Sequence, residues 1–180
     1  MCEISNFKFP ILNREDGFSL IEIVIVMALL AIIGGLALIM NFDDYRGYSF
    51  RNERDLLVSV LQRARSQSVN NVCLSGLSCT GGQPHGVHIG SAADCSAINK
   101  PCYVIFQTTT TTPTFAARDT AVDQDIERSS SFNLVTSPGP DVVFDQLSGN
   151  VDIAPWSLVV TDNLNHIATT TVNSQGQIDW

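Results

Sequence analysis

Hydrophobic and polar positions change rhythm three times along the chain. Residues 1–17 mix the two kinds without a period. Residues 23–42 then carry no charged side chain, and roughly 20 apolar residues is the length with which a helix crosses the hydrocarbon of a bilayer. From there the spacing turns helical and amphipathic. Phe50, Leu57, Val60, Leu61, Ala64 and Val69 recur at intervals near three and four, while Arg51, Glu53, Arg54, Asp55, Arg63 and Arg65 are read onto the other faces. No proline stands between residues 18 and 83, so the pattern predicts one helix of about 50 residues, roughly 75 Å long, ending at Asn70 or Asn71. Gly34-Gly35 inside it reads either as a point of bending, at about 1 kcal/mol per glycine, or as a small-residue site for close helix packing.

Beyond residue 71 the rhythm becomes one of short β-prone runs: 72–74, 86–89, 103–107, 132–135, 142–144, 158–161, 167–172 and 177–178. Turn signals separate them at Gly81-Gly82, Pro138-Gly139-Pro140, Ser148-Gly149-Asn150 and Asp162-Asn163. The runs flanking residues 162–165 predict a hairpin. An antiparallel sheet laid over the apolar face of the helix buries both, so the expected fold is α+β: a long amino-terminal helix, its first half membrane-spanning, packed against an antiparallel β-sheet head. The expected divisions are a leader at 1–17, an apolar helix at 18–45, an amphipathic helix at 46–71 and a β-rich head at 72–180. The threonine-rich stretch 108–114 reads as an exposed loop, with glycosylation a secondary reading.

With 180 residues there is room for one membrane helix and one ordinary domain. A net charge of −8 and a pI near 4.6 argue against a broad surface for nucleic acid or anionic lipid. From residue 72 onward the only cations are Lys100, Arg118 and Arg128, against ten carboxylates. The head is therefore acidic, and most arginines lie on the helix before it.

Glu22 opens the apolar run. A charge inside hydrocarbon costs about 2.5–3.5 kcal/mol even on lenient insertion scales, so this carboxylate calls for a partner or a function, unless it snorkels to the headgroups from the helix end. Cys2 falls in the leader. Cys73, Cys79, Cys95 and Cys102 follow the apolar run, and an even set in an exported domain reads as disulfides with three possible connectivities. The local pairs Cys73 with Cys79 and Cys95 with Cys102 are expected, each closing a short loop. The competing metal reading lacks any C-x-x-C spacing.

No catalytic set emerges: there is no G-x-S-x-G, no H-E-x-x-H and no phosphate-cradling glycine loop. His85-Gly86-Val87-His88 reads as exposed loop histidines rather than ligands, and His166, beside a predicted turn, needs no special role. Asp119, Asp123, Asp125 and Glu127 lack the order of a calcium loop and read as a solvated acidic loop. No enzyme activity, cofactor or metal is expected.

The contiguous residues Gly17-Phe18-Ser19-Leu20-Ile21-Glu22, at the junction of a polar leader and an apolar run, resemble the processing site of type IV prepilins and type II secretion pseudopilins. An ordinary secretory signal fits worse, since its apolar core is about 7–15 residues and its cut follows that core. The resemblance implies cleavage between Gly17 and Phe18 by prepilin peptidase, N-methylation of Phe18, and pairing of Glu22 with such an amine, commonly a neighbouring subunit's. Leu61-Gln62-Arg63-Ala64-Arg65-Ser66-Gln67-Ser68-Val69 and Val172-Asn173-Ser174-Gln175-Gly176-Gln177-Ile178 are further similar to the helix end and last strand of the GspH/FimT group of minor pilins and pseudopilins. The implied protein is a non-enzymatic subunit of a type IV pilus or a type II secretion pseudopilus. It is held in the inner membrane by one span with its head outside, and then incorporated into or capping the filament. Its implied partners are the peptidase, other pilin subunits and an inner-membrane assembly platform. The alternative is a tip subunit binding a ligand or DNA for adhesion or uptake. Two departures stand against the group's pattern: no proline in the second half of the apolar helix, and no cationic tail on the head.

Overall fold

The computed structural model describes residues 18–39, 42–74, 82–95, 97–109 and 113–180. The chain divides into two compact units, Met1–Asp43 and Asp44–Trp180. In the first unit, helix α1 (Leu20–Ile39) forms from leucine, isoleucine, valine, methionine and alanine with a single carboxylate, Glu22, in its first turn. Every described side chain from residue 18 to residue 35 is exposed, so α1 has no polar stripe and no face of its own to bury. Among the described residues no helix is long and apolar enough to cross a membrane. The side chains described in α1 are those of residues 20–35, short of the roughly 20 apolar residues a span needs. The join between the two halves of the expected 50-residue helix falls at residues 40–41, outside the described residues.

Helix α2 (Phe42–Val69), which belongs to the second unit from Asp44 onward, buries a stripe made by Glu53, Leu57, Val60, Leu61, Ala64 and Ser68, the spacing of one helix face. Its end is a Schellman closure. Asn71 takes the left-handed conformation at φ 56°, its N–H donates to the Ser68 carbonyl at 3.1 Å, and the Val72 N–H donates to the Gln67 carbonyl at 2.9 Å. Residues 72–74 therefore close the helix instead of forming the expected strand.

Two four-stranded antiparallel sheets follow, where one was expected. The strands are β1 (His85–Gly90), β2 (Cys102–Gln107), β3 (Gln124–Glu127), β4 (Asn133–Ser137), β5 (Asp141–Phe144), β6 (Trp156–Thr161), β7 (Ile167–Val172) and β8 (Ile178–Asp179). Their orders are β3-β2-β1-β5 and β4-β6-β7-β8. Pro138 and Pro140 supply no N–H for a hairpin between β4 and β5, so β4 pairs with β6 while β5 returns beside β1. The β6–β7 hairpin across residues 162–165 is present, with Thr161 opposite Ile167.

Leu57, Val60, Leu61 and Ala64 of α2 meet Val87, Tyr103, Ile105 and Phe144 of the first sheet and Trp156, Leu158, Val160 and Val172 of the second in one core. The first sheet is covered on its other face too. Alternate residues of β2, namely Cys102, Val104 and Phe106, join Cys95, Ile98, Phe115 and Val143 in a second cluster, so all of β2 is buried.

Candidate functional site

The amino-terminal motif lies where α1 begins. Ser19 caps the helix: its carbonyl accepts from the Glu22 N–H at 3.0 Å and the Ile23 N–H at 3.3 Å, and its Oγ accepts from the Glu22 N–H at 3.3 Å. With Glu22 three residues on, S-x-x-E is a capping-box pattern, and the carboxylate opposes the positive end of the helix dipole. That pattern is visible in the sequence and adds Ser19 to the residues picked out by the motif. Phe18 precedes the cap and is 77% exposed. Gly17 and the rest of the leader lie outside the described residues.

In the head, Cys95 and Cys102 form a disulfide, both fully buried. Cys73 is also disulfide-bonded, and Cys79 lies outside the described residues. The buried carboxamide of Gln107 donates to the Cys73 sulfur at 3.8 Å and accepts from the Leu74 N–H at 2.8 Å, which ties the segment after α2 to the end of β2.

The histidines are not loop residues. His85 and His88 belong to β1 and are buried, and the two-residue period puts them on opposite faces. His85 has no solvent exposure: its N–H donates to Ser68 Oγ at 2.7 Å, and its Nδ1 lies 2.9 Å from the Gln83 carbonyl. Burial pushes its pKa down against that carbonyl contact. On the other face, His88 Nδ1 lies 2.5 Å from Asp141 Oδ1, and its Nε2 is 3.8 Å from Asp94 Oδ2. The ring stacks on Phe115 at 3.7 Å, and the Arg118 guanidinium lies over Phe115 at 3.6 Å. Gly86 permits this packing, since a Cβ there would meet the Phe106 ring at 2.5 Å. Two histidines on opposite faces cannot share a metal, and among the described residues no cluster of metal-ligating side chains occurs.

The acidic stretch is likewise structured. Asp119 accepts from the Ala121 N–H at 3.1 Å and caps a turn of 3₁₀ helix, Thr120–Val122. Asp123 accepts from Arg118 at 2.7 Å, while burial outweighs that guanidinium and pushes its pKa up. Asp125 and Glu127 sit in β3 opposite Val104 and Cys102. His166 lies beside the turn of the β6–β7 hairpin, paired with Asp162 at 2.7 Å.

Glu53 also departs from expectation. Its charge predicts a polar face, yet it is 4% exposed on the apolar stripe of α2, where it accepts from the Tyr103 hydroxyl at 2.7 Å and the Ser129 N–H at 3.2 Å. Burial, reinforced by this carboxylate, pushes the Tyr103 phenol far above its usual range.

No curated protein and no solved structure matches the chain. Residues 12–38 match the family model for the prokaryotic N-terminal methylation motif, which spans the Gly17–Phe18 junction, the Ser19 cap, Glu22 and α1 to within one residue of its end, so the chain carries a prepilin-type amino-terminal signal.

Proposed function

We propose that this chain is a pilin-like structural subunit, of the minor pilin or pseudopilin kind represented by the GspH/FimT group. Prepilin peptidase cuts it between Gly17 and Phe18, and Phe18 becomes the methylated amino terminus. It is stored in the inner membrane on α1 and then assembles with other pilin subunits. One observation carries the reading: the methylation motif at residues 12–38 runs directly into a helix whose described side chains are all exposed and, Ser19 and Glu22 aside, apolar or glycine. Such a helix needs a solvent other than water, and lipid and the packed helices of a filament core both provide one. Exchange between them changes little hydrophobic energy, so packing and polar pairing set the balance. An unpaired Glu22 in that core costs several kcal/mol by the usual desolvation argument, which makes an amine from a neighbouring subunit a register mark. Oxidised cysteines in the head agree with an exported domain. A DNA-binding tip has less to support it, because Lys100, Arg118 and Arg128 all have partners within the acidic head.

Mass measurement of the mature chain in a strain carrying the peptidase tests the cleavage. A methylated Phe18 terminus is expected, and Gly17→Leu leaves the leader attached; normal trimming of that variant refutes the site. Glu22→Ala is expected to be processed normally but excluded from filaments, and unchanged incorporation refutes its pairing role.

A further inference from the structure

On the outer face of β5 a groove of about 240 Å³ runs between that strand and the segment after residue 150. Val143, Val151 and Ile153 give it apolar walls, and Asp141, Asp145 and Asp152 give it three carboxylates with no cation among its lining residues. Asp141 is engaged by His88. Asp145 and Asp152 have no side-chain partner, and burial, reinforced by Asp152, holds the Asp145 carboxyl above its usual range. An apolar channel with uncompensated carboxylates suits an aliphatic stem that ends in a positive charge.

The head has no cation of its own to spend there. Lys100 pairs with Glu127 at 2.6 Å, Arg118 with Asp123 at 2.7 Å, and Arg128 donates to the Ser129 carbonyl at 3.3 Å. On α2, Arg54 is paired with Asp55 and Arg65 donates to the Gln175 carbonyl. Among the described residues Arg46, Arg51 and Arg63 are exposed and have no ion-pair or hydrogen-bond partner. Arg46 has Asp43 three residues before it and Arg51 has Asp55 four residues after it, whereas the helix neighbours of Arg63 are Ser59, Val60, Ser66 and Gln67. Arg63 is thus the free guanidinium on α2 with no carboxylate within one turn.

We propose that the groove between β5 and residues 151–153 receives Arg63 from a second copy of this chain. Groove and helix face are different surfaces, so the contact is head-to-tail and repeats as an open helical array rather than closing as a two-fold dimer. It rests on the filament reading and gives that reading a heterologous contact between β-rich heads in addition to whatever α1 does.

The test uses the full-length processed chain assembled in filaments, with Arg63→Lys so that a zero-length carbodiimide can join the new amine to a carboxylate. Peptide mass spectrometry is expected to find residue 63 joined to Asp145 or Asp152 between copies distinguished by isotope label. Asp145→Lys with Asp152→Lys, in otherwise native protein, is expected to lower filament yield about tenfold or more, and adding Arg63→Glu to restore it to within about twofold. Absence of the cross-link, a cross-link only to a different protein, or failure of the reversal to restore assembly overturns the proposal. If the chain is cleaved and incorporated as usual while the cross-link is missing, this contact is wrong and the filament reading stands. If it never enters filaments, that reading itself fails.

Discussion

Removing the Tyr103 hydroxyl is the sharpest probe of how α2 is held to the head. Tyr103 has no solvent exposure and gives Glu53 one of its two hydrogen bonds, the other coming from the Ser129 N–H at a longer 3.2 Å. A hydrogen bond to a charged group contributes about 1.5–3 kcal/mol, and a buried carboxylate left short of donors cannot recover the loss from water. Tyr103→Phe is therefore expected to cost about 2.5 kcal/mol. For a unit the size of Asp44–Trp180, that lowers Tm by about 7–10 °C. Glu53→Gln keeps an acceptor for the phenol, discards the charge and is expected to cost less, about 1 kcal/mol. Glu53→Leu combined with Tyr103→Phe removes the buried carboxylate and the phenol together, leaving only the part-buried Ser129 N–H without its acceptor, and is expected to cost less than the two single changes added together. The assay is thermal unfolding of the full chain in detergent under oxidising conditions, followed by near-ultraviolet circular dichroism. A Tm within about 2 °C of the parent for Tyr103→Phe, or strict additivity in the double variant, refutes the argument.

Two further outcomes are expected from the same assay. Cys95→Ala with Cys102→Ala opens a loop whose ends are seven residues apart, and chain entropy sets the loss at about 2.5 kcal/mol; a Tm indifferent to the change refutes a stabilising role. Burial holds the His85 pKa below its ordinary 6.5, so on acidification the unfolded chain takes up this proton before the folded one does. Stability from this group is complete above about pH 6.5 and falls as pH drops through it. The Tm of His85→Gln is expected to depend less steeply on pH than the parent's between about pH 7.5 and 5.5. Asp123 and Asp145, whose raised pKa values act in the opposite sense, are common to both proteins and leave the difference unaffected. Parallel Tm profiles refute the assignment.

What the sequence disclosed followed from local rules, and what it hid depended on distant ones. The core face of α2 and the β6–β7 hairpin show in periodicity and turn residues. The strand β3 does not: Gln124-Asp125-Ile126-Glu127 holds one apolar residue, and only its register on β2, with Ile126 opposite Tyr103, makes it a strand. β1 shows in the sequence as the run 86–89, but the burial of its two histidines does not: a strand between β2 and β5 has both faces covered and tolerates polar groups that find partners. The charge of Glu53 points to a polar face, whereas its position four residues before Leu57 puts it on the buried stripe. The amino-terminal motif was legible because its recognition depends on contiguous residues. The acidic groove was not, since it exists only where β5 and residues 151–153 come together.

The polar groups on the buried face of α2 explain why that helix carries them at all. Glu53 and Ser68 stand 15 residues apart, about 22 Å along the axis, with Leu57, Val60, Leu61 and Ala64 between them. The apolar contacts are non-directional, and a slide of the helix by one turn would exchange one set of them for another of similar worth. Tyr103 on Glu53 and the Phe144 carbonyl and His85 N–H on Ser68 Oγ do not tolerate such a slide, because each displaced partner would be left buried and unpaired. Both pins reach the first sheet, from opposite ends of the helix, so α2 is fixed to it in one register. For a subunit proposed to sit in a filament by its amino-terminal helix, that fixed register is what would keep the β5 groove and Arg63 at the same relative position in every copy.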